Sequence, residues 1–327
     1  MRKWASVLLL VLVSAVVVAC GGDDSSGGGG DTGSSGGGKN YNMTLIAGVK
    51  GDEFYITMNC GAQAEAKKLG VTLDFQGPQE FDASQQTPIV NAVAAKKPDA
   101  MLVAPTDTKA MFAPIKQVAD AGSKVVLVDT TLDQADFAVS QIASDNEGGG
   151  REAAKALADQ IGGSGKVFVV NVKPGISTTD LRAKGFEEEA KKLGLDYVGV
   201  DYSQDQPDKA AAIVKAQLAK NPDLKGIFAT NLFSAEGSAS GLKEAGKQGA
   251  VKIVSFDAGP KQVQDLKDGI LQALVAQKPG DIGAQGVQQA IAALKGDATK
   301  KKIQTGSVIL TKDNLSQNQD AIYKSSC

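Results

Sequence analysis

Carboxylates, amides, one guanidinium and two aromatic rings recur in this chain just beyond its short apolar runs. Asp52, Phe54 and Tyr55 follow the run 43–47, and Asp129 and Thr130 close the run that begins at Lys124. Asn231 follows Ile227-Phe228-Ala229-Thr230, Asp257 follows Ile253-Val254-Ser255-Phe256, and Gln277 follows Leu274-Val275-Ala276. Arg182 opens a helical pattern that leads to Gly185-Phe186. A hydroxyl group is both donor and acceptor, so carboxylates alternating with amides or a guanidinium satisfy it from both sides. Aromatic rings cover the apolar C–H face of a saturated ring. Any one of these residues is equally at home as a helix cap or in a turn. As a set they suit a small polyhydroxylated ligand.

The elements that must hold these residues are legible as an alternation. Strand-like runs at 43–47, 71–75, 100–104, 124–129, 139–143, 167–172, 197–200, 226–229, 252–256 and 271–276 are separated by Ala- and Lys-rich helical stretches. Among the stretches are 54–69, 84–96, 147–161, 178–193 and 207–220; in the first, Tyr55, Met58, Ala62, Ala66 and Leu69 fall on one face at helical spacing. Strands alternating with helices predict βαβ units, parallel sheets and helices on both sheet faces. About ten strands exceed one comfortable sheet of this kind, so the expectation is α/β with two doubly wound, Rossmann-like parallel-sheet domains. In open α/β sheets ligands bind beyond the carboxyl ends of the strands, which is where the polar set lies. Asn146, ahead of Gly148-Gly149-Gly150, is expected to cap the helix at a domain crossing. The segment 180–192, rich in both charge signs, reads as a solvated helix face. Gly162-Gly163-Ser164-Gly165-Lys166 is no phosphate loop, because it follows a helix and precedes a strand, the reverse of what that motif needs.

Composition narrows the chemistry further. The 327-residue chain contains no histidine, which excludes Ser-His-Asp and Cys-His catalysis and His-ligated zinc. A net charge of −2 gives no footing for nucleic acid. No metal and no cofactor are expected.

The N-terminus carries an address. Arg2 and Lys3 precede an apolar run, 5–18, too short to span a bilayer, as in a secretory signal. Val17-Val18-Ala19-Cys20-Gly21 resembles the bacterial lipobox, in which Cys20 would be acylated and become the mature N-terminus. Two or more acyl chains anchor a protein stably to a membrane surface. The Gly- and Ser-rich segment behind Cys20 has nothing to bury and reads as a tether spanning roughly 20–25 Å. Cys60 and Cys327 then remain as an even pair in an oxidising compartment. A disulfide between Cys60 and Cys327 is the expectation, the alternative being two unpaired thiols, one of them buried. The polar tail 312–327 would fray unless tied down.

Several segments, taken in order, resemble the ribose-binding-like, type I solute-binding proteins of ABC sugar importers. They are Phe54-Tyr55 leading into Gly61-Ala62-Gln63-Ala64-Glu65-Ala66, Ile142-Ala143-Ser144-Asp145-Asn146, and Leu181-Arg182-Ala183-Lys184-Gly185-Phe186. Phe228-Ala229-Thr230-Asn231, Val254-Ser255-Phe256-Asp257 and Ala276-Gln277-Lys278-Pro279-Gly280-Asp281 complete the series. The resemblance spans roughly residues 42–310. It implies two domains joined by a three-segment hinge, with crossings near Ser144, Gln277 and Thr305. The organisation is then 1–20 lipoprotein signal, 21–40 tether, 41–143 plus 278–305 N-terminal domain, and 144–277 plus 306–327 C-terminal domain. It also implies that Phe54 and Tyr55 stack on a sugar while Asp129, Arg182, Asn231, Asp257 and Gln277 bond its hydroxyls. Asp52 stands where the ribose pattern has an amide. Thr130 stands where that pattern has arginine, and the Gln204-Asp205-Gln206 loop lacks the pattern's aromatic. These departures turn the expectation from ribose to another pentose, a hexose or a sugar alcohol.

The implied protein is a monomeric, extracytoplasmic, lipid-anchored binder that hands a sugar or polyol to an ABC permease. It is not an enzyme. Two other readings use the same residues. One is a receptor presenting sugar to a sensor kinase or chemoreceptor. The other is a secreted glycosidase using Asp129 and Asp257, which needs two carboxyl groups about 5–10 Å apart.

Overall fold

The computed structural model describes residues Asn40–Cys327. The signal, the lipobox Cys20 and the tether up to residue 39 lie outside the described residues. Two parallel sheets organise the rest, with elements numbered in chain order. The first sheet is built from β1 (Asn42–Ile46), β2 (Thr72–Gln76), β3 (Ala100–Val103), β4 (Lys124–Val128) and β5 (Ser140–Ser144). The second takes β6 (Lys166–Asn171), β7 (Asp196–Tyr202), β8 (Leu224–Ala229), β9 (Lys252–Phe256) and β10 (Ala273–Ala276). A late pair is then divided between them. β11 (Lys302–Thr305) joins the first sheet beside β5, and β12 (Val308–Leu310) joins the second antiparallel to β10.

The strand orders are β11-β5-β4-β3-β1-β2 and β12-β10-β9-β8-β6-β7. In each sheet the order reverses after the first strand, between β1 and β3 and between β6 and β8, which opens a crevice at the carboxyl edge. β3 is buried along its whole length and β4 along all but its first residue, because helices cover both faces.

Helices α1 (Glu53–Leu69), α2 (Ala83–Lys96), α3 (Phe112–Asp120) and α9 (Pro279–Lys295) flank the first sheet. Helices α4 (Asn146–Ile161), α5 (Ser177–Lys192), α6 (Pro207–Lys220), α7 (Leu232–Glu244) and α8 (Pro260–Lys267) flank the second. The chain therefore passes from one lobe to the other after β5, back between β10 and α9, and again between β11 and β12. Side chains at the three passages touch: the Ser144 hydroxyl donates to Gln277 Oε1 at 2.7 Å and lies 3.4 Å from Thr305 Oγ1.

One expectation, the cap of α4, needs correcting, and two further features bear on the site. The cap of α4 is Asp145, whose carboxylate accepts from the Gly148 N–H, while Asn146 is the first helical residue and is buried. The glycines behind it answer to packing: a Cβ on Gly150 would lie 2.1 Å from the Arg182 carbonyl oxygen, and one on Gly185 2.1 Å from that of Glu147. Only glycines let α4 and α5 approach this closely, and that approach sets the position of Arg182. The tail is also less polar in effect than its composition. Leu315 and Tyr323 are buried, the Tyr323 N–H donates to Ala258 O, and the Lys324 N–H donates to Thr57 Oγ1 on α1. Cys327 ends on the same helix, its sulfur 2.08 Å from that of Cys60. The tail thus leaves the second lobe and is tied to the first. The solvated face of α5 is present in Lys184, Glu188, Lys191 and Lys192, opposite buried Arg182, Phe186 and Ala190.

Candidate functional site

Three aspartates at the carboxyl edges of the sheets share an uncommon backbone conformation. Asp129, Asp205 and Asp257 have φ of 63°, 61° and 79°. Asp tolerates the left-handed region better than most residues, and such conformations cluster at ligand sites. At two of them the reason is visible in the ladder. The Asp129 N–H still donates to Ile142 O and the Asp257 N–H to Val275 O, closing the sheet before the chain turns sharply away. Each carboxylate is left beyond the end of its strand, over the crevice.

Around them a small cavity, about 40 Å³ in volume, lies between the lobes. Asp52, Phe54, Tyr55, Phe81 and Asp129 line it from the first lobe; Val172, Ile176, Thr178, Thr179, Arg182, Asp205, Asn231 and Asp257 line it from the second; Gln277 lines it from a crossing. Eight of the nine candidates are therefore brought together. Thr130 is not: it is buried, and its hydroxyl donates to Pro105 O at 2.7 Å. The left-handed turn at Asp129 sends the next residue away from the cavity.

Tyr55, Arg182, Asn231 and Asp257 are each held by a donor or acceptor from another element. Tyr55 donates its hydroxyl to Asp129 Oδ2 at 2.7 Å. Arg182 donates from Nε to Asn146 Oδ1 at 2.8 Å and from Nη1 to Thr230 O at 2.9 Å, with its guanidinium carbon 4.1 Å above the Phe256 ring centroid. Asn231 caps α7 by accepting from the Ser234 N–H and donates to Asp205 Oδ1 at 2.6 Å. Asp257 accepts from Gln277 Nε2 at 2.7 Å, the Tyr323 hydroxyl at 3.1 Å and the Leu232 N–H at 3.2 Å. The Tyr323 hydroxyl in turn accepts from the Gln277 N–H. The phenyl ring of Phe54 stands edge-on to both Tyr55 and Tyr323, with centroids 5.2 and 5.9 Å away.

The electrostatics are lopsided, four carboxylates against one guanidinium. Burial pushes Asp129 up to about 6, against the pull of Arg182 and the Tyr55 hydrogen bond. Burial likewise raises Asp205 to about 6, opposed by the bond from Asn231. Asp52 is raised well above the ordinary carboxylate range by burial and by the nearby Asp257, despite the N–H of Phe54 that it caps. Burial also raises the Tyr55 phenol well above its ordinary value, so it stays a donor at neutral pH. Carboxylates removed from water in this way call for donors. Hydroxyl groups of a neutral ligand supply them without adding charge. Among the described residues no group of three or more His, Cys, Asp or Glu is placed to hold a metal ion.

Three hydrogen bonds join the lobes across the cleft. Lys173 Nζ donates to Phe81 O at 2.8 Å, the Thr108 N–H to Gly175 O at 3.0 Å, and the Thr131 N–H to Ser177 Oγ at 2.9 Å.

This architecture has known counterparts. A periplasmic binding protein domain matches residues 43–298. The chain belongs to that family. It is 30% identical over 260 residues to the ribose import binding protein of Salmonella typhimurium, covering 80% of this chain and 87% of that protein. An ABC transporter solute-binding protein of Agrobacterium vitis, solved with bound α-D-tagatopyranose, is 43% identical with a TM-score of 0.85, covering 87% of this chain and all (100%) of that one. A second protein of that organism, solved with D-fucose, is 31% identical with a TM-score of 0.82, over 86% of this chain and 100% of its own. The fold is that of the type I solute-binding proteins.

Two kinds of residue escaped the sequence reading. Phe81, Val172, Ile176, Thr178 and Thr179 carry no signature apart from position. Asp205 carries one, a carboxylate just past a strand pattern, in the loop that lacks the family pattern's aromatic ring.

Proposed function

We propose that this chain is the substrate-binding component of an ABC sugar importer, capturing a neutral sugar or polyol between its lobes and delivering it to a permease. The observation that carries the reading is the cavity between the lobes at both carboxyl edges, walled by Asp129, Asp257, Arg182, Asn231 and Gln277 and backed by Phe54. In this reading Phe54 and Tyr55 cover the sugar's C–H faces, while Asp52, Asp129, Arg182, Asn231, Asp257 and Gln277 bond its hydroxyls. The excess of carboxylates disfavours uronates and sugar phosphates. Residues 41–143 with 278–305 and residues 144–277 with 306–327 act as two domains that rotate about the three crossings, the last residues of the tail, from Lys324, staying tied to the first. No catalytic step is assigned to it. The protein works as a monomer outside the cytoplasm, anchored through acylated Cys20. The lipobox-like Val18-Ala19-Cys20 supports that anchor, and Cys20→Ala should release the protein from the membrane fraction.

The test is a thermal-shift and calorimetric panel of D-tagatose, D-fucose, D-arabinose, D-ribose and polyols, with a uronate as the anionic control. A hundredfold excess of ligand over Kd stabilises by about 2.7 kcal/mol, a readily measured shift. At least one neutral sugar should raise Tm and be recovered unchanged, with compaction in small-angle scattering. A panel with no response at millimolar concentration overturns the reading.

A further inference from the structure

Helix α5 presents its first turn to the cavity, and no side chain caps it. Ile176, Thr178, Thr179 and Arg182 all line the space. The first N–H groups of a helix lack partners within it, so this end carries partial positive charge. A helix end alone says little. What distinguishes this one is Thr179, which is 4% exposed and whose Oγ1 is, among the described residues, the buried side-chain polar atom left without a hydrogen-bond partner.

A threonine inside a helix ordinarily has a ready acceptor, the carbonyl four residues back. Thr57 uses Glu53 O at 2.7 Å and Thr87 uses Ala83 O at 2.7 Å. For Thr179 that carbonyl belongs to Gly175, which accepts instead from the Thr108 N–H across the cleft. Gly175 also precedes the helix, so Thr179, in the first turn, has no helical carbonyl four residues back. Buried hydroxyls are almost always paired in native proteins, and an exception calls for an explanation.

We propose that Thr179 is a specificity-determining ligand contact, its hydroxyl pairing with a sugar oxygen held at the α5 end of the cavity. The two walls then have opposite preferences. Asp52, Asp129, Asp205 and Asp257 accept, and so take hydroxyl protons. Thr179, Arg182 and the first turn of α5 donate, and so take an oxygen acting as acceptor, such as a ring oxygen. A sugar enters in one orientation because only one end matches each wall. This assignment rests on the sugar-binding reading above and adds to it a residue and a direction.

The test compares wild type with Thr179→Val, which has nearly the same shape without the hydroxyl, and with Thr179→Ser, which restores it. The probes are D-tagatose, D-fucose, D-arabinose and D-ribose, read by calorimetry, together with Tm of the ligand-free proteins. Deleting a buried hydroxyl that has no protein partner leaves ligand-free stability unchanged or raised, whereas deleting one that serves the fold lowers it. The expected result is a ligand-free Tm for T179V at or above wild type, a three- to tenfold loss of affinity for the best sugar, and recovery in T179S; that loss is about one neutral hydrogen bond. Wild-type affinity for every sugar in T179V overturns the role of Thr179 while leaving the pocket's function standing. A lowered ligand-free Tm in T179V also overturns it. A wild-type protein that binds no sugar overturns the pocket reading and this proposal with it.

Discussion

Cutting the Cys60–Cys327 link by the double substitution to serine should lower stability without changing the folded structure. The two residues are separated by 267 positions, so the link closes nearly the whole described chain into a ring. In the chain-entropy form, a loop of that length (267 residues) restricts the unfolded state by about 5–6 kcal/mol at 25 °C. Disulfides usually deliver less, because the unfolded state retains structure, so a loss of about 2–4 kcal/mol is expected. The folded state has little reason to move. Tyr323 remains buried and bonded to Asp257 and Gln277, and the Lys324 N–H still reaches Thr57. Urea unfolding followed by fluorescence and circular dichroism measures the effect. The midpoint should fall by roughly 1 M, and the slope should steepen because an unlinked chain exposes more surface when unfolded. Adding reductant to wild type should reproduce the shift. An unchanged midpoint in the double variant, or quantitative alkylation of both cysteines in unreduced protein, refutes the reasoning.

Three further outcomes follow from the site. Tyr323→Phe removes the acceptor of the buried Gln277 N–H and a donor to Asp257; it should cost about 1–3 kcal/mol in urea unfolding and weaken sugar binding in calorimetry, and unchanged values for both would refute the role given to the tail. Arg182→Ala should reduce affinity tenfold or more and, because it also leaves Asn146 Oδ1 and Thr230 O without their partner, lower Tm as well; a loss of Tm with full affinity would remove Arg182 from the ligand contacts. For Asp205 the folded value near 6 lies above the unfolded one. The stability it contributes is therefore fully present below the unfolded pKa, about 4, and is lost as pH rises through about 6. In Asp205→Asn that loss disappears, so the ligand-free variant's Tm advantage over wild type should grow from pH 4 to 7; a pH-independent difference would refute the shift.

What could be read from the sequence was whatever is local. An apolar run followed by Asp, Asn or Gln is a pattern within six or seven residues, and the α/β rule that ligands lie beyond strand ends turns it into a site. Asp129, Asn231, Asp257 and Gln277 were legible for that reason, and so was the division into two sheets. The late strands β11 and β12 were not, being three or four residues long and only half buried. Tyr323 was hidden by averaging: one aromatic ring in a polar tail changes little in composition, yet its hydroxyl holds Asp257 and the Gln277 N–H. Thr130 went astray for the opposite reason. It adjoins a site residue in sequence, but the left-handed turn at Asp129 separates the two in direction.

The partners of the aspartates show where such reading must stop. Asp205 is held by a residue 26 positions away, Asp257 by one 66 positions away and Asp129 by one 74 positions away. None of these pairings has a spacing that could announce it, because each depends on how whole strands and crossings are stacked. The same long-range bonds orient the carboxylates toward the cavity and keep them there at the expense of hydration. A ligand that donates to them therefore does more than fill a space. On the proposed function it replaces the water these carboxylates give up on burial, which would tie the affinity for a polyol to the closed arrangement of the lobes.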